Sequence, residues 1–275
     1  MGRRLLTAAI LLSIVLGGFY FPVLRPLLML AIALIAIFCT LELADMLRHK
    51  QLRVYRRVAS WGVIALMIEA YFSQMTHSML VFGSAVCLAL LVRMRYPVAG
   101  AWADVSATVF TLAYVGIPMA ALVRIFEASS GARAWLLTAM AVIWTTDSFA
   151  LFGGKLMGRT KLSPKVSPGK TWEGAMSGVA GALLVVLVAR AGYPQYFGTS
   201  WSLELAFFAV LFAILGQCGD LVESLLKRDI GVKDSGSKLT GHGGFLDLMD
   251  ALLFCAIPLL VYLHLTRPEV LNIGG

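Results

Sequence analysis

Nine apolar runs constrain this 275-residue chain more than any other feature, at about 5–22, 27–46, 58–73, 77–93, 103–124, 134–152, 174–191, 203–220 and 250–266. A helix needs about 20 apolar residues to cross the hydrocarbon core of a bilayer. Folding this much apolar chain in water would leave large patches exposed. Composition agrees: 59% of residues are hydrophobic and 14% are charged, whereas a soluble domain carries about a quarter charged residues. The expected fold is therefore all-α, a polytopic integral membrane protein of about nine transmembrane helices. The cysteines Cys39, Cys87, Cys218 and Cys255 lie in or beside apolar runs without a CxxC, so they read as buried thiols.

Basic residues set the expected orientation. With the N-terminus inside and nine crossings, 18 of the 23 lysines and arginines fall on the inner side and 5 on the outer. Positive residues favour the cytoplasmic side, which predicts the N-terminus inside and the C-terminus outside. The first run follows Arg3-Arg4 but lacks a small-residue cleavage site, so it reads as a retained anchor. The net charge of +8 is absorbed by this skew, and no nucleic-acid partner is expected. No internal repeat or second domain is visible. For description the chain divides into N-terminal transmembrane helices, 1–130, and a C-terminal membrane region, 131–275, with inner-face polar loops at 153–173 and 221–249. A few runs carry acids, such as Glu69, Asp104 and Asp147. These are expensive in hydrocarbon and are expected to face protein or water.

Both polar loops hold more than a topology signal needs. In the first, Leu162-Ser163-Pro164-Lys165-Val166-Ser167-Pro168-Gly169-Lys170-Thr171 contains two Ser-Pro pairs, which predict an extended, non-helical course. It presents Lys165 and Lys170 among hydroxyls. Gly169-Lys170-Thr171 is not a P-loop, because the upstream glycine is missing and no strand is predicted before it. In the second, Asp220, Glu223, Ser224 and Lys227 share one helical face. A loop containing Gly241-His242-Gly243-Gly244 then leads to Asp247 and Asp250, one turn apart at the mouth of the last run. Glycines let backbone N–H groups approach phosphate oxygens closely. Asp220, Asp247 and Asp250 offer oxygen ligands that suit Mg²⁺.

Carboxylates for a divalent cation, set among lysines, arginines and glycine N–H groups, are the equipment of phosphoryl or nucleotidyl transfer. A site at the membrane surface implies one lipid and one soluble substrate. The run Ser224 to Asp250 resembles the signature of the CDP-diacylglycerol synthases (phosphatidate cytidylyltransferases). It does so through Ser224, Leu226, Lys227-Arg228, Lys233-Asp234, Gly236, Leu239, His242-Gly243-Gly244-Phe245, Asp247 and Asp250. The stretch Asp147–Gly174 is also similar to that family.

The resemblance implies transfer of CMP from CTP to phosphatidate, giving CDP-diacylglycerol and pyrophosphate at the cytoplasmic face of the cell membrane. It implies metal ligation by Asp220, Asp247 and Asp250, with Mg²⁺ as cofactor and a second, monovalent cation as an option. Asp220, Asp247, Lys227 and Arg228 would be catalytic. Substrate contacts would come from Lys165, Ser167, Lys170, Ser224, Lys233, Asp234, His242, Gly243 and Gly244. Membrane lipids are partners, and a homodimer is an open option. Two residues depart from the family pattern: Thr240 replaces a proline, and Leu248 replaces the arginine that follows Asp247. The alternatives are a CTP-dependent lipid kinase acting on a polyprenol-type alcohol, which would release CDP, and a transporter with Asp147 or Glu69 on an ion path.

Overall fold

The computed structural model describes residues 17–198, 203–236 and 243–271. The fold is nearly all-α. Helices α1 (Arg25–His49), α2 (Arg56–Ser73) and α3 (Ser78–Arg93) come first. Helices α4 (Ala101–Thr111) and α5 (Ile117–Ala128) follow, joined without a break by a π turn at Leu112–Gly116. Next are α6 (Ser130–Met157), α7 (Trp172–Gly192), α8 (Leu203–Ile230) and α9 (Phe245–Thr266). The all-α expectation needs one correction. Residues Lys161–Ser163 (β1) and Ser167–Thr171 (β2) form an antiparallel hairpin, where the two Ser-Pro pairs impose an extended backbone.

Among the described residues, six segments are long and apolar enough to cross a membrane: Pro22–His49, Ala101–Ala128, Ser130–Met157, Trp172–Gly192, Leu203–Ile230 and Phe245–Thr266. Two more expected runs are helical but do not qualify on that measure. Helix α2 carries Arg56, Arg57 and Glu69 within 18 residues, and α3 has only 16 residues. Most of the first run, 5–22, lies outside the described residues.

Two compact units make up the chain. The first joins Met1–Arg124 to Ile230–Met249, and the second joins Ile125–Asp229 to Asp250–Gly275. The described residues at 230–236 and 243–249 thus group with the N-terminal helices. The reason is a set of buried polar bonds to α1, described below.

Within the first unit, the acids flagged in the apolar runs are tied to backbone. Glu69 accepts from the His77 N–H (2.7 Å) and the Ser78 hydroxyl (2.5 Å), fixing the start of α3. Asp104 accepts from the Arg53 N–H at 2.9 Å and lies 3.4 Å from buried Arg93, which also bonds the Ala99 carbonyl. Each charge satisfies loop groups that apolar surroundings would otherwise strand.

In the second unit, α6 and α7 pack through glycine. A Cβ on Gly174 would meet the Ala150 carbonyl at 2.6 Å, one on Gly178 the Thr146 carbonyl at 2.9 Å, and one on Gly181 the Phe149 ring at 2.7 Å. Spaced i, i+4 and i+7, these residues let the two backbones approach closely. An aromatic core of Trp135, Phe208, Phe212 and Tyr262 fills the same unit, with ring centroids 4.5–6.1 Å apart. Ser129 does two jobs there: its hydroxyl caps α6 at Ala132 N–H (3.1 Å) and donates to the Val270 carbonyl (2.7 Å). Ser129→Ala removes both bonds and should cost about 1–3 kcal/mol. The midpoint of thermal unfolding in detergent should fall by several degrees, and an unchanged midpoint would deny the clamp.

Candidate active site

The expected site residues fall into two polar constellations, one in each unit. In the second unit, the hairpin is anchored at both ends. Glu173 accepts from the Arg159 and Thr160 N–H groups at 3.1 Å, and Thr171 caps α7 through the Gly174 N–H. Its tip presents Lys165 to solvent, with Ser167 opening β2. Lys170, on β2, places its ammonium 2.6 Å from an Asp220 oxygen and 3.3 Å from the Gln217 carbonyl. Arg228 reaches back from α8, its Nε 3.4 Å from the Val166 carbonyl. Sequence flagged these cations only as phosphate contacts; the structure gives Lys170 and Arg228 protein partners that hold the hairpin against α8.

Helix α8 carries the acids. Ser224 donates to the second Asp220 oxygen at 3.3 Å. Glu223 is fully buried and bonded to Lys227 at 2.7 Å. Buried Asp250, at the start of the last apolar segment, lies in the field of Asp220 and Lys227 and near Glu223. Asp147, on α6, lies in the field of Asp220 and Lys170. Close backbone packing makes this possible: a Cβ at Gly219 would come within 2.9 Å of Ala251 Cα and 3.2 Å of the Asp250 carbonyl. Asp147, Asp220, Glu223 and Asp250 therefore gather with Lys170 and Lys227 in one unit.

The second constellation lies in the first unit. Asp247 sits in the first turn of α9, where its Oδ2 accepts from the Gly244 N–H (2.7 Å), the Ser235 N–H (3.0 Å) and the Ser235 hydroxyl (2.9 Å). An acid reaching back from the third helical position to the capping residue's N–H is a capping-box contact. Gly243 has φ +81°, and a side chain there would strike the Asp247 carboxylate, so glycine is required. Lys233 and Asp234 are exposed just after Gly231. His242 and Thr240 lie outside the described residues. Leu248, in place of the expected arginine, is 42% exposed.

Sequence reasoning passed over Glu42, which sits in the apolar run 27–46 and becomes 2% exposed on α1. Its Oε2 accepts from the Leu246 N–H at 3.0 Å and lies 3.5 Å from the Ser235 hydroxyl. The available signal was its ionisable group inside a span. Helical spacing puts Glu223 on the Asp220 face, but spacing alone does not reveal its full burial.

A hard divalent cation fits the donors of the second unit. Asp220 and Asp250 supply carboxylate oxygens, the donor type that a hard divalent cation takes. Among the described residues, no group of three or more His, Cys, Asp and Glu side chains is arranged as a metal cage. Mg²⁺ sites commonly use one or two carboxylates and complete their shell with water and substrate phosphate.

The chain matches the Cytidylyltransferase family over residues 2–266. It is 34% identical over 269 residues to the phosphatidate cytidylyltransferase of Staphylococcus saprophyticus, covering 94% of this chain and 97% of that protein. Against the proteins of the same name from Staphylococcus epidermidis and Staphylococcus aureus, identity is 34% and 33% over 267 residues, with the same coverage. The match covers the hairpin, α8 and the start of α9, the elements that carry the two constellations, and the chain belongs to the cytidylyltransferase family.

Proposed function

We propose that this chain is a phosphatidate cytidylyltransferase, a nucleotidyltransferase that makes CDP-diacylglycerol and pyrophosphate from CTP and phosphatidate in phospholipid synthesis. The observation that carries this reading is the gathering of Asp220, Glu223 and Asp250 with Lys170 and Lys227 in a unit built from apolar helices. The names of its relatives supply the substrates. An anionic phosphate oxygen of phosphatidate attacks the α-phosphorus of CTP. A new P–O bond forms, the α–β P–O bond breaks, and pyrophosphate leaves with the electron pair.

The nucleophile is already ionised, so no protein base is required, and catalysis reduces to positioning and charge compensation. Lys227, Arg228 and Lys233 are assigned to the phosphates, with Lys165, Ser167, Lys170, Ser224, Asp234, His242, Gly243 and Gly244 as further contacts. Mg²⁺, when bound, would neutralise charge on the triphosphate. Asp220 and Asp250 would hold it. Asp247 stays in the ligand set on helical spacing alone, one turn before Asp250. We place this chemistry at the cytoplasmic face of the cell membrane, in a nine-span chain with its N-terminus inside, on the 18-to-5 distribution of basic residues.

The test is product analysis with purified protein in detergent, CTP, phosphatidate and Mg²⁺. Pyrophosphate and CDP-diacylglycerol are expected in equal amounts. Release of CDP instead would make the chain a lipid kinase, and absence of both products would refute the assignment.

A further inference from the structure

Glu42 lies far from the signature in sequence, on a helix that no expectation connected with chemistry. A carboxylate in the middle of an apolar helix is costly unless its bonds repay desolvation. Two of its partners, the Ser235 hydroxyl and the Leu246 N–H, belong to one short segment of the described residues. The Leu246 N–H, 3.0 Å away, is one of the four N–H groups that the first turn of α9 cannot satisfy internally. Ser235 places its hydroxyl between two acids, 2.9 Å from Asp247 and 3.5 Å from Glu42. Gly236 and Gly244 close over the same carboxylate. A Cβ on Gly236 would sit 2.9 Å from Glu42 Oε1, and one on Gly244 would strike both the Ser235 hydroxyl and Glu42 Oε2. Phe38, one turn earlier on α1, stacks on Phe245 with ring centroids 4.8 Å apart. The start of α9 is thereby fastened to α1 by one ring contact and one buried acid.

We propose that Glu42 is a positioning residue for the reaction: its buried carboxylate holds Ser235, Gly244 and the first turn of α9 in place, and so sets where Asp247 stands. The proposal rests on the cytidylyltransferase reading for its kinetic consequence but not for its structural one. The assigned role of Glu42 is to act through Asp247, not on the substrate. Gln retains an acceptor for Leu246 and the side-chain length, whereas Leu retains only the volume.

The experiment compares full-length wild type, Glu42→Gln and Glu42→Leu in detergent by amide hydrogen exchange and by steady-state kinetics. In Glu42→Leu, exchange at Gly244 and Leu246 should accelerate by about tenfold or more, as loss of one buried hydrogen bond implies. Its kcat should fall by a similar or larger factor, with the KM for CTP changed by less than about threefold. Glu42→Gln should stay close to wild type in both. If Glu42→Leu does not fold, Ser235→Ala serves: faster exchange at Gly244 with a smaller fall in kcat supports the proposal, and wild-type behaviour overturns it. Unchanged exchange in Glu42→Leu, or a Gln variant as impaired as Leu, also overturns it. Wild-type protein that releases no pyrophosphate would sink the function, while the exchange result would still decide the role of Glu42.

Discussion

Asp220→Asn should reduce pyrophosphate release by about a hundredfold or more, the scale on which losing a well-placed charge or donor slows an electrostatically driven reaction. The substitution isolates charge from shape. An asparagine oxygen can still accept from Lys170, now 2.6 Å from the carboxylate, while its NH₂ turns to the Ser224 hydroxyl at 3.3 Å. The hairpin should stay in place, since Lys170 also bonds the Gln217 carbonyl and Arg228 the Val166 carbonyl. The fold survives and one negative charge is lost among Asp147, Glu223 and Asp250. The measurement is initial rate against Mg²⁺ concentration, with circular dichroism as the control for helicity. A variant within about threefold of wild type would remove Asp220 from the proposed metal and transfer chemistry.

Gly178→Leu should prevent the second unit from forming. At that position even a Cβ lies 2.9 Å from the Thr146 carbonyl and from its methyl group, and neither can retreat without moving α6. Adding one methylene to a packed interior commonly costs about 1–3 kcal/mol, and leucine adds four carbons against backbone. Gly174 and Gly181 sit on the same stripe, so displacing α7 at its middle opens the contacts at both ends. The yield of monodisperse protein in size-exclusion chromatography should drop by about tenfold or more. Gly83→Leu on α3 is the control, because nothing lies within 4 Å of a Cβ there. Equal yields from the two variants would show that α6 and α7 do not depend on glycine contact.

How much of this was legible in the sequence depended on how far apart the partners lie. The helix over Arg25–His49 and the acid spacing of Asp247 and Asp250 are local patterns, and hydropathy and periodicity expose them. The extended course of 161–171 followed from two prolines, although the pairing of Lys161 with Thr171 did not. Lys170 and Asp220 were each singled out, yet nothing in either stretch says that the two meet across 50 residues. Glu69 and Asp104 were visible as acids in apolar runs. Their roles as anchors for the backbone at His77 and Arg53 depend on loop paths that periodicity does not encode. The π turn at Leu112–Gly116 left no compositional trace in an otherwise uniform apolar stretch.

The bonds from Glu42 to Ser235 and Leu246 close loops of 193 and 204 residues. On a ribosome adding about 5–20 residues per second, the acid is synthesised roughly 10–40 seconds before either partner exists. During that interval α1 must enter the bilayer with its carboxyl group protonated, hydrated or lent to a temporary neighbour. Maturation of the first unit is therefore a late event in biogenesis. A chain stalled before residue 235 would carry an inserted α1 whose acid still lacks its native neighbours.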